Sequence, residues 1–213
     1  MNIIAHRGFW KVSNEKNSSV SFARAFESGY GVETDVRDVL GQLVISHDMP
    51  LGNEMRFDSF LALYAASGAE SCLAINIKAD GLQKPLKALL AEYAVKNYFV
   101  FDMSVPDTLG YMQEGIRFFS RISEYEPQDP FCFNSSGVWI DSFHSKWFPT
   151  KDISAFLGQG KHVCIVSPEL HKRDHLKVWH ELREIETSNV LLCTDFPDAA
   201  KEFFDGKNQS NYL

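Results

Sequence analysis

The sequence predicts an α/β fold of the (β/α)8 TIM-barrel class, with parallel strands in a single domain. Two observations lead there. Short apolar, β-branched runs alternate with segments of helical spacing, the mark of parallel strands joined by helical crossovers. Polar residues then end these runs along the whole chain: His6, Asp35, Lys78, Asp102, Arg121, Asp141, Ser167 and Asp195. A doubly wound open sheet shares the alternation but concentrates its site at one switch point. A barrel spreads polar groups over all its C-terminal strand ends. At 213 residues the chain is short for eight strands, so short loops are expected.

Runs of strand length fall at Ile3–Ala5, Gly31–Val36, Leu43–Ser46, Cys72–Ile77, Tyr98–Phe101, Ile116–Ser120, Val138–Ile140, His162–Val166 and Val190–Cys193. Asn17 or Ser18 can cap a first helix that ends at Gly29. Phe60, Leu61 and Tyr64 follow Asp58 in the same manner. Leu82, Leu86, Leu89, Leu90 and Tyr93 form one apolar helical face, and Leu176, Trp179, Leu182 and Ile185 form another behind a capping Asp174. Glu124–Ser136 lacks periodicity and is expected to be a loop over the site. No repeat or linker divides the chain, so residues 1–204 form the barrel and 205–213 a polar, frayed tail.

The net charge of −7 with no basic block argues against a nucleic-acid partner. It also requires any phosphate site to be made positive locally. Cys72, Cys132, Cys164 and Cys193 show no zinc spacing and are expected to be buried free thiols. No apolar leader region and no run of transmembrane length is visible, so no stable membrane insertion and a cytoplasmic location are expected.

Glu33 and Asp35 alternate with Val32, Thr34 and Val36, so on a strand both carboxylates face one side. Either they are exposed acids on an edge strand, or they share a divalent cation; oxygen ligands favour Mg²⁺ or Ca²⁺. His6 and His47 each follow an apolar run and suit a general acid and a general base. Arg7 and Lys78 can hold phosphate oxygens. Asp48 either orients an imidazole or caps its loop.

His6-Arg7-Gly8, Lys16-Asn17-Ser18, Gly31-Val32-Glu33-Thr34-Asp35-Val36, Gly41 through Asp48 and Leu192 through Asp198 together resemble the glycerophosphodiester phosphodiesterase family. The same layout is similar to the related sphingomyelinase D enzymes. The match is dense over Met1–Leu51, clear at Leu73–Lys78 and Val190–Ala199, and weak between. The resemblance implies a (β/α)8 barrel that cleaves a glycerophosphodiester to a glycerol phosphate and an alcohol, with one divalent cation, Mg or Ca. It implies that His6 and His47 do acid–base work, that Glu33 and Asp35 bind metal, and that Lys78 lies near the phosphate. A glycerol hydroxyl attacking phosphorus first would give a cyclic phosphate that water then opens.

Two positions depart from the family pattern. Lys16 stands where the family commonly has Glu, as either a phosphate contact or a surface residue. Asn76 stands where the family supplies a third carboxylate; its amide oxygen can still bind metal, with one negative charge fewer. Arg121 is a candidate phosphate ligand or an ion-pair partner of Glu124 or Glu126, and Glu169 a candidate substrate contact. Trp139 either stacks on substrate or fills the core, and His171 is expected to be solvated. The expected activity is hydrolysis of a small anionic glycerophosphodiester, or of a glycerophosphate-containing glycan. The alternatives are a lyase that stops at the cyclic phosphate and a barrel that binds a phosphodiester without turnover.

Overall fold

A computed structural model describes residues 1–127, 130–146, 148–185 and 188–206. The chain divides into two compact units, Ala5–Phe118 and Met1–Ile4 with Phe119–Leu213. Strand β1 (Asn2–His6) contributes to both.

In Ala5–Phe118, β2 (Gly31–Val39), β4 (Leu73–Ile77) and β5 (Tyr98–Phe101) are parallel neighbours. Their register sets Val32–Val36 against Leu73–Ile77 and Leu73–Asn76 against Tyr98–Phe101. Helices α1 (Ser19–Glu27), α2 (Phe57–Ser67), α3 (Gln83–Glu92) and α4 (Val105–Glu114) alternate with them. Ser18 takes the cap of α1 through a reciprocal capping box with Ser21. Gly29 follows the helix at φ +75°, as its position predicts. The cap of α2 is Arg56 rather than Asp58, because the Asp58 carboxylate is taken by the Arg56 guanidinium. Phe22, Phe26, Phe57, Phe60 and Tyr64 join α1 to α2, with ring centroids 4.6 to 5.9 Å apart. Such pairs contribute about 0.5–1.5 kcal/mol each beyond their area. They hold the start of α1, and with it the turn after β1.

The run at Leu43–Ser46 is not a barrel strand. It forms β3 (Gln42–Ile45), antiparallel to β2 with Val39 opposite Gln42 and Val36 opposite Ile45. Only residues 37–42 separate the two apolar runs, and a parallel crossover needs about a dozen residues or more. The hairpin turns at Leu40-Gly41 with φ of +49° and +80°, the two positive values of a type I′ turn.

In the other unit, β6 (Phe119–Ile122), β7 (Gly137–Ile140), β8 (His162–Val166) and β9 (Val190–Thr194) are successive parallel neighbours. They alternate with α5 (Thr150–Gly158), α6 (Leu176–Leu182) and α7 (Pro197–Asp205). The described residues between β6 and β7 form turns and no helix, in accord with the expected loop. The cap of α6 is His175 rather than Asp174, whose carboxylate accepts from the Leu176 N–H at 3.3 Å in the turn that leads into the helix. Trp139 is buried in the core, and Trp179 packs on Phe203 and Phe204 while its indole N–H donates to Ser167 Oγ at 2.8 Å. Of the expected tail, Asp205 closes α7, and residues 207–213 lie outside the described residues.

Eight strands of parallel type, one hairpin strand and seven helices make up the (β/α)8 class among the described residues. No described helix is long and apolar enough to cross a membrane. All four cysteines are free; Cys164 and Cys193 are buried, whereas Cys72 and Cys132 are only partly so because they sit outside the strand interiors.

Gly137 opens β7 where a Cβ would lie 2.6 Å from both the His162 carbonyl oxygen and the Phe119 ring. Neither a strand backbone nor a packed ring can move far. Gly137→Ala is therefore expected to lose about 1–3 kcal/mol of stability, read as a lower urea midpoint at unchanged slope.

Candidate active site

The candidate centre is built within Ala5–Phe118. Glu33 and Asp35 project to one face of β2, and Asp35 lies in register with Asn76 of β4. Parallel neighbours in register share a face, so three oxygen-bearing side chains come together. All three are almost fully buried. Burial, with Asp35 beside it, pushes the Glu33 carboxyl up to about 8.

The turn after β1 brings cationic groups to these acids. Arg7 adopts φ +56° and Gly8 φ +83°. The Arg7 amide donates to Glu33 Oε2 at 3.2 Å, and its Nε lies 3.0 Å from Asp35 Oδ2, out of line for a hydrogen bond. Gly8 is required by space as well as by φ, since a Cβ there would lie 2.5 Å from Ser21 Oγ, inside the cap of α1. The His6 ring, partly exposed, has its Nε2 3.9 Å from Glu33 Oε2. Lys78, one residue past β4, places Nζ 3.8 Å from Asp35 Oδ1 and donates to Asp102 Oδ2 at 3.4 Å.

Asn17 completes the arrangement. It sits at φ +57°, a conformation that Asn tolerates better than most residues. Its Nδ2 donates to Asp35 Oδ2 at 2.9 Å, and its Oδ1 accepts from Thr34 Oγ1 at 3.0 Å. Its role is therefore to orient Asp35, not to cap α1. Two acceptors in this group remain unused: Asp35 Oδ1 and Asn76 Oδ1 are buried without a hydrogen-bond partner. Such orphans are rare, and a hard cation is what two of them beside the Glu33 carboxylate can hold. No group of three or more His, Cys, Asp or Glu among the described residues is arranged for metal; the donor set here is two carboxylates and one amide.

His47 stands just past β3 and is tied to the centre through its neighbours. The Ser46 amide donates to the Asp35 carbonyl at 3.0 Å, and Arg37 Nε donates to the His47 carbonyl at 3.1 Å. The imidazole itself is half exposed, with Nδ1 2.9 Å from Asp48 Oδ1. Asp48 thus orients the ring, one of the two roles open to it. Lys16 extends its ammonium over the Trp10 ring at 4.4 Å, and the Trp10 indole N–H donates to the His6 carbonyl at 3.1 Å. Lys16 therefore supports the turn around His6.

Arg121 and Glu169 belong to the other unit. Arg121 pairs with Glu126, its Nε 2.7 Å from Oε2. Glu169 accepts from the Asp195 amide at 3.1 Å and from the hydroxyls of Ser167 and Thr194. His171 is not solvated: its Nε2 lies 2.6 Å from Asp141 Oδ1, because β7 and β8 are adjacent and both residues follow their strands. Sequence reasoning missed Asn17 and Asp102 as members of the centre. Asp102 carried a signal, since it and Lys78 end neighbouring apolar runs; Asn17 stood in the Lys16-Asn17-Ser18 stretch of the resemblance but read only as a helix cap.

The sequence matches no known family profile and no curated protein. Solved structures are similar. A protein from Galdieria sulphuraria assigned as a glycerophosphodiester phosphodiesterase superposes with TM-score 0.75 at 16% identity over 96% of this chain and 97% of its own. An Oleispira antarctica phosphodiesterase, solved with the product sn-glycerol-3-phosphate, gives 0.68 at 17% over 96% and 97%. A Ca²⁺-dependent phosphatidylinositol-specific phospholipase C from Streptomyces antibioticus gives 0.62 at 12% over 95% and 95%. The chain therefore has the (β/α)8 fold of these proteins along nearly its full length.

The raised Glu33 carboxyl fixes the sign of one pH effect in metal-free protein. The folded state holds the Glu33 proton up to about pH 8, while the unfolded chain releases it near the usual carboxylate value. Stability is greatest below the unfolded value and falls as pH rises through that window, by an amount on the order of a few kcal/mol. Urea midpoints should fall from pH 5 to pH 8, and Glu33→Gln should flatten the profile.

Proposed function

We propose that the protein is a cation-dependent phosphodiesterase that cleaves a small glycerophosphodiester, or a glycerophosphate-containing glycan, to a glycerol phosphate and an alcohol. One observation carries this reading: the orphaned, buried oxygens of Asp35 and Asn76 lie beside Glu33 and next to Arg7 and Lys78. The fold it shares with a phosphodiesterase solved with glycerol phosphate supports it.

Glu33, Asp35 and Asn76 would hold one Mg²⁺ or Ca²⁺. Bound there, the ion would polarise a phosphate oxygen and offset charge developing on phosphorus. Arg7 and Lys78 hold the remaining phosphate oxygens and keep the diester in line. One of the two imidazoles, His6 or His47, takes the proton of the attacking oxygen as its bond to phosphorus forms. The other gives a proton to the alcohol oxygen as its bond to phosphorus breaks. Asp48 fixes the His47 ring and leaves Nε2 for that transfer. Arg121 is proposed as a further phosphate ligand and Glu169 as a further substrate contact. The free cysteines support a reducing, cytoplasmic setting.

His6→Ala and His47→Ala are each expected to lower kcat for glycerophosphocholine about 10²–10⁴-fold with folding intact. Phosphorus NMR reads the products, and a cyclic phosphate that persists would replace hydrolysis by a lyase outcome. Near-full activity in both variants would remove the assignment. Asn76→Asp supplies a third carboxylate and is expected to tighten Mg²⁺ or Ca²⁺ binding roughly tenfold, measured by titration calorimetry.

A further inference from the structure

In a chain of net charge −7, Lys172-Arg173 is the one place where two Lys or Arg residues stand side by side. The pair follows β8 through a short 3-10 turn, Pro168–His171, in the unit formed by Met1–Ile4 and Phe119–Leu213. Lys172 takes φ +59° at the end of that turn, and the Arg173 amide donates to the Pro168 carbonyl at 3.1 Å. The Arg173 side chain then runs to the neighbouring strand end, where Nη2 donates to the carbonyl of Ser142, two residues past β7. Both residues lie beyond C-terminal strand ends, the end at which barrels of this class bind their ligands.

Two donors in this patch are unused. Arg173 Nε and Ser142 Oγ are buried, and among the described residues neither has a hydrogen-bond partner. Ser142 as a whole is only 4% exposed. The bond to the Ser142 carbonyl keeps its hydroxyl and the guanidinium in one patch. The acids of the surrounding segments are engaged elsewhere. Asp141 Oδ1 lies 2.6 Å from His171 Nε2, and Glu124 accepts from the Phe143 and His144 amides at 3.0 and 2.9 Å. Glu169 accepts from the Asp195 amide and two hydroxyls, and Asp174 from the Leu176 amide. Among the described residues none of these acids forms an ion pair with Arg173. A buried guanidinium donor without an acceptor is costly. An oxyanion answers it, since the planar fork matches phosphate oxygens and a serine hydroxyl adds a further donor.

We infer that Arg173 and Ser142 form a further binding site, for a phosphoryl group, made of residues that the proposed phosphodiesterase chemistry does not use. The inference does not depend on that chemistry. It is the converse of the arrangement at Asp35 and Asn76, where orphaned acceptors suit a cation; here orphaned donors suit an anion. Exposed Lys172 beside them adds local positive charge, which an acidic chain needs in order to attract an anion. These donors recognise inorganic phosphate and a phosphomonoester alike, and the test separates the two.

The test titrates inorganic phosphate and glycerol 3-phosphate into the full chain by calorimetry, at fixed ionic strength and in EDTA so that no cation at Glu33 and Asp35 draws the anion. A hydrogen bond to a charged group corresponds to roughly tenfold or more in affinity. Arg173→Gln and Ser142→Ala are therefore each expected to weaken phosphate binding by about tenfold or more. Ser142→Ala removes a hydroxyl that has no partner, so without phosphate its urea midpoint should match or exceed the wild-type value. Phosphate should raise the wild-type midpoint and leave that of Ser142→Ala nearly unmoved. Equal affinity for the two ligands supports a site for phosphate itself, and tighter glycerol 3-phosphate supports a site for a phosphomonoester. No phosphate binding by the wild type overturns the site, and so does unchanged affinity in Ser142→Ala. Where Arg173→Gln fails to fold, Ser142→Ala decides alone by the same criterion.

Discussion

Two carboxylates buried side by side are the constraint around which the Ala5–Phe118 unit is arranged. Glu33 and Asp35 are exposed to water hardly at all, and each unpaired buried charge costs several kcal/mol. The surrounding residues answer that cost. Arg7 supplies an amide to one acid and a guanidinium to the other. Asn17 donates to Asp35 from a strained backbone position. Lys78 is held between Asp35 and Asp102. Even so, Glu33 holds its proton well above the usual range and two acceptors stay unfilled. A fold optimised for stability alone would place apolar residues here, so the retained polarity points to chemistry.

The scaffold shows how the acids are kept in place. Gly8 lets the chain after β1 pass over Ser21 with no room for a side chain. Ser21 in turn closes the capping box of α1 and donates to the Arg7 carbonyl at 3.3 Å. The aromatic cluster between α1 and α2 fixes that helix. Helix cap, glycine turn and guanidinium thus form one mechanical unit, and a change in any of them moves Arg7 relative to Asp35.

Much of this could be read from residue order, because strand periodicity and strand-end polarity are local signals. His6, Asp35, Lys78 and Asp102 were visible as polar residues closing apolar runs. Local signals fail where one residue has two possible partners. Asn17 and Ser18 both suit a helix cap, and only the packing of the β1 turn gives Ser18 the cap and Asn17 the carboxylate. His171 read as solvated because its partner, Asp141, is thirty residues away in sequence and adjacent only once β7 and β8 pair. The run at Leu43 read as a strand and is one, but chain length between runs, not composition, decides that it pairs antiparallel.

The departure at Asn76 gains meaning from the local charge. With Glu33 ionised, three acids, Glu33, Asp35 and Asp102, face two cations, Arg7 and Lys78, leaving one net negative charge. A divalent cation would turn that into one net positive charge, the complement of a singly charged phosphodiester. With a fourth carboxylate, at position 76, the same ion would leave the centre neutral. On a chain of net charge −7 the difference matters, since the surrounding field already repels an anion. One unit charge at about 4 Å is worth roughly 4 kcal/mol at the effective dielectric of such a site. On the phosphodiesterase reading proposed above, Asn76 would exchange strength of cation binding for attraction of an anionic diester.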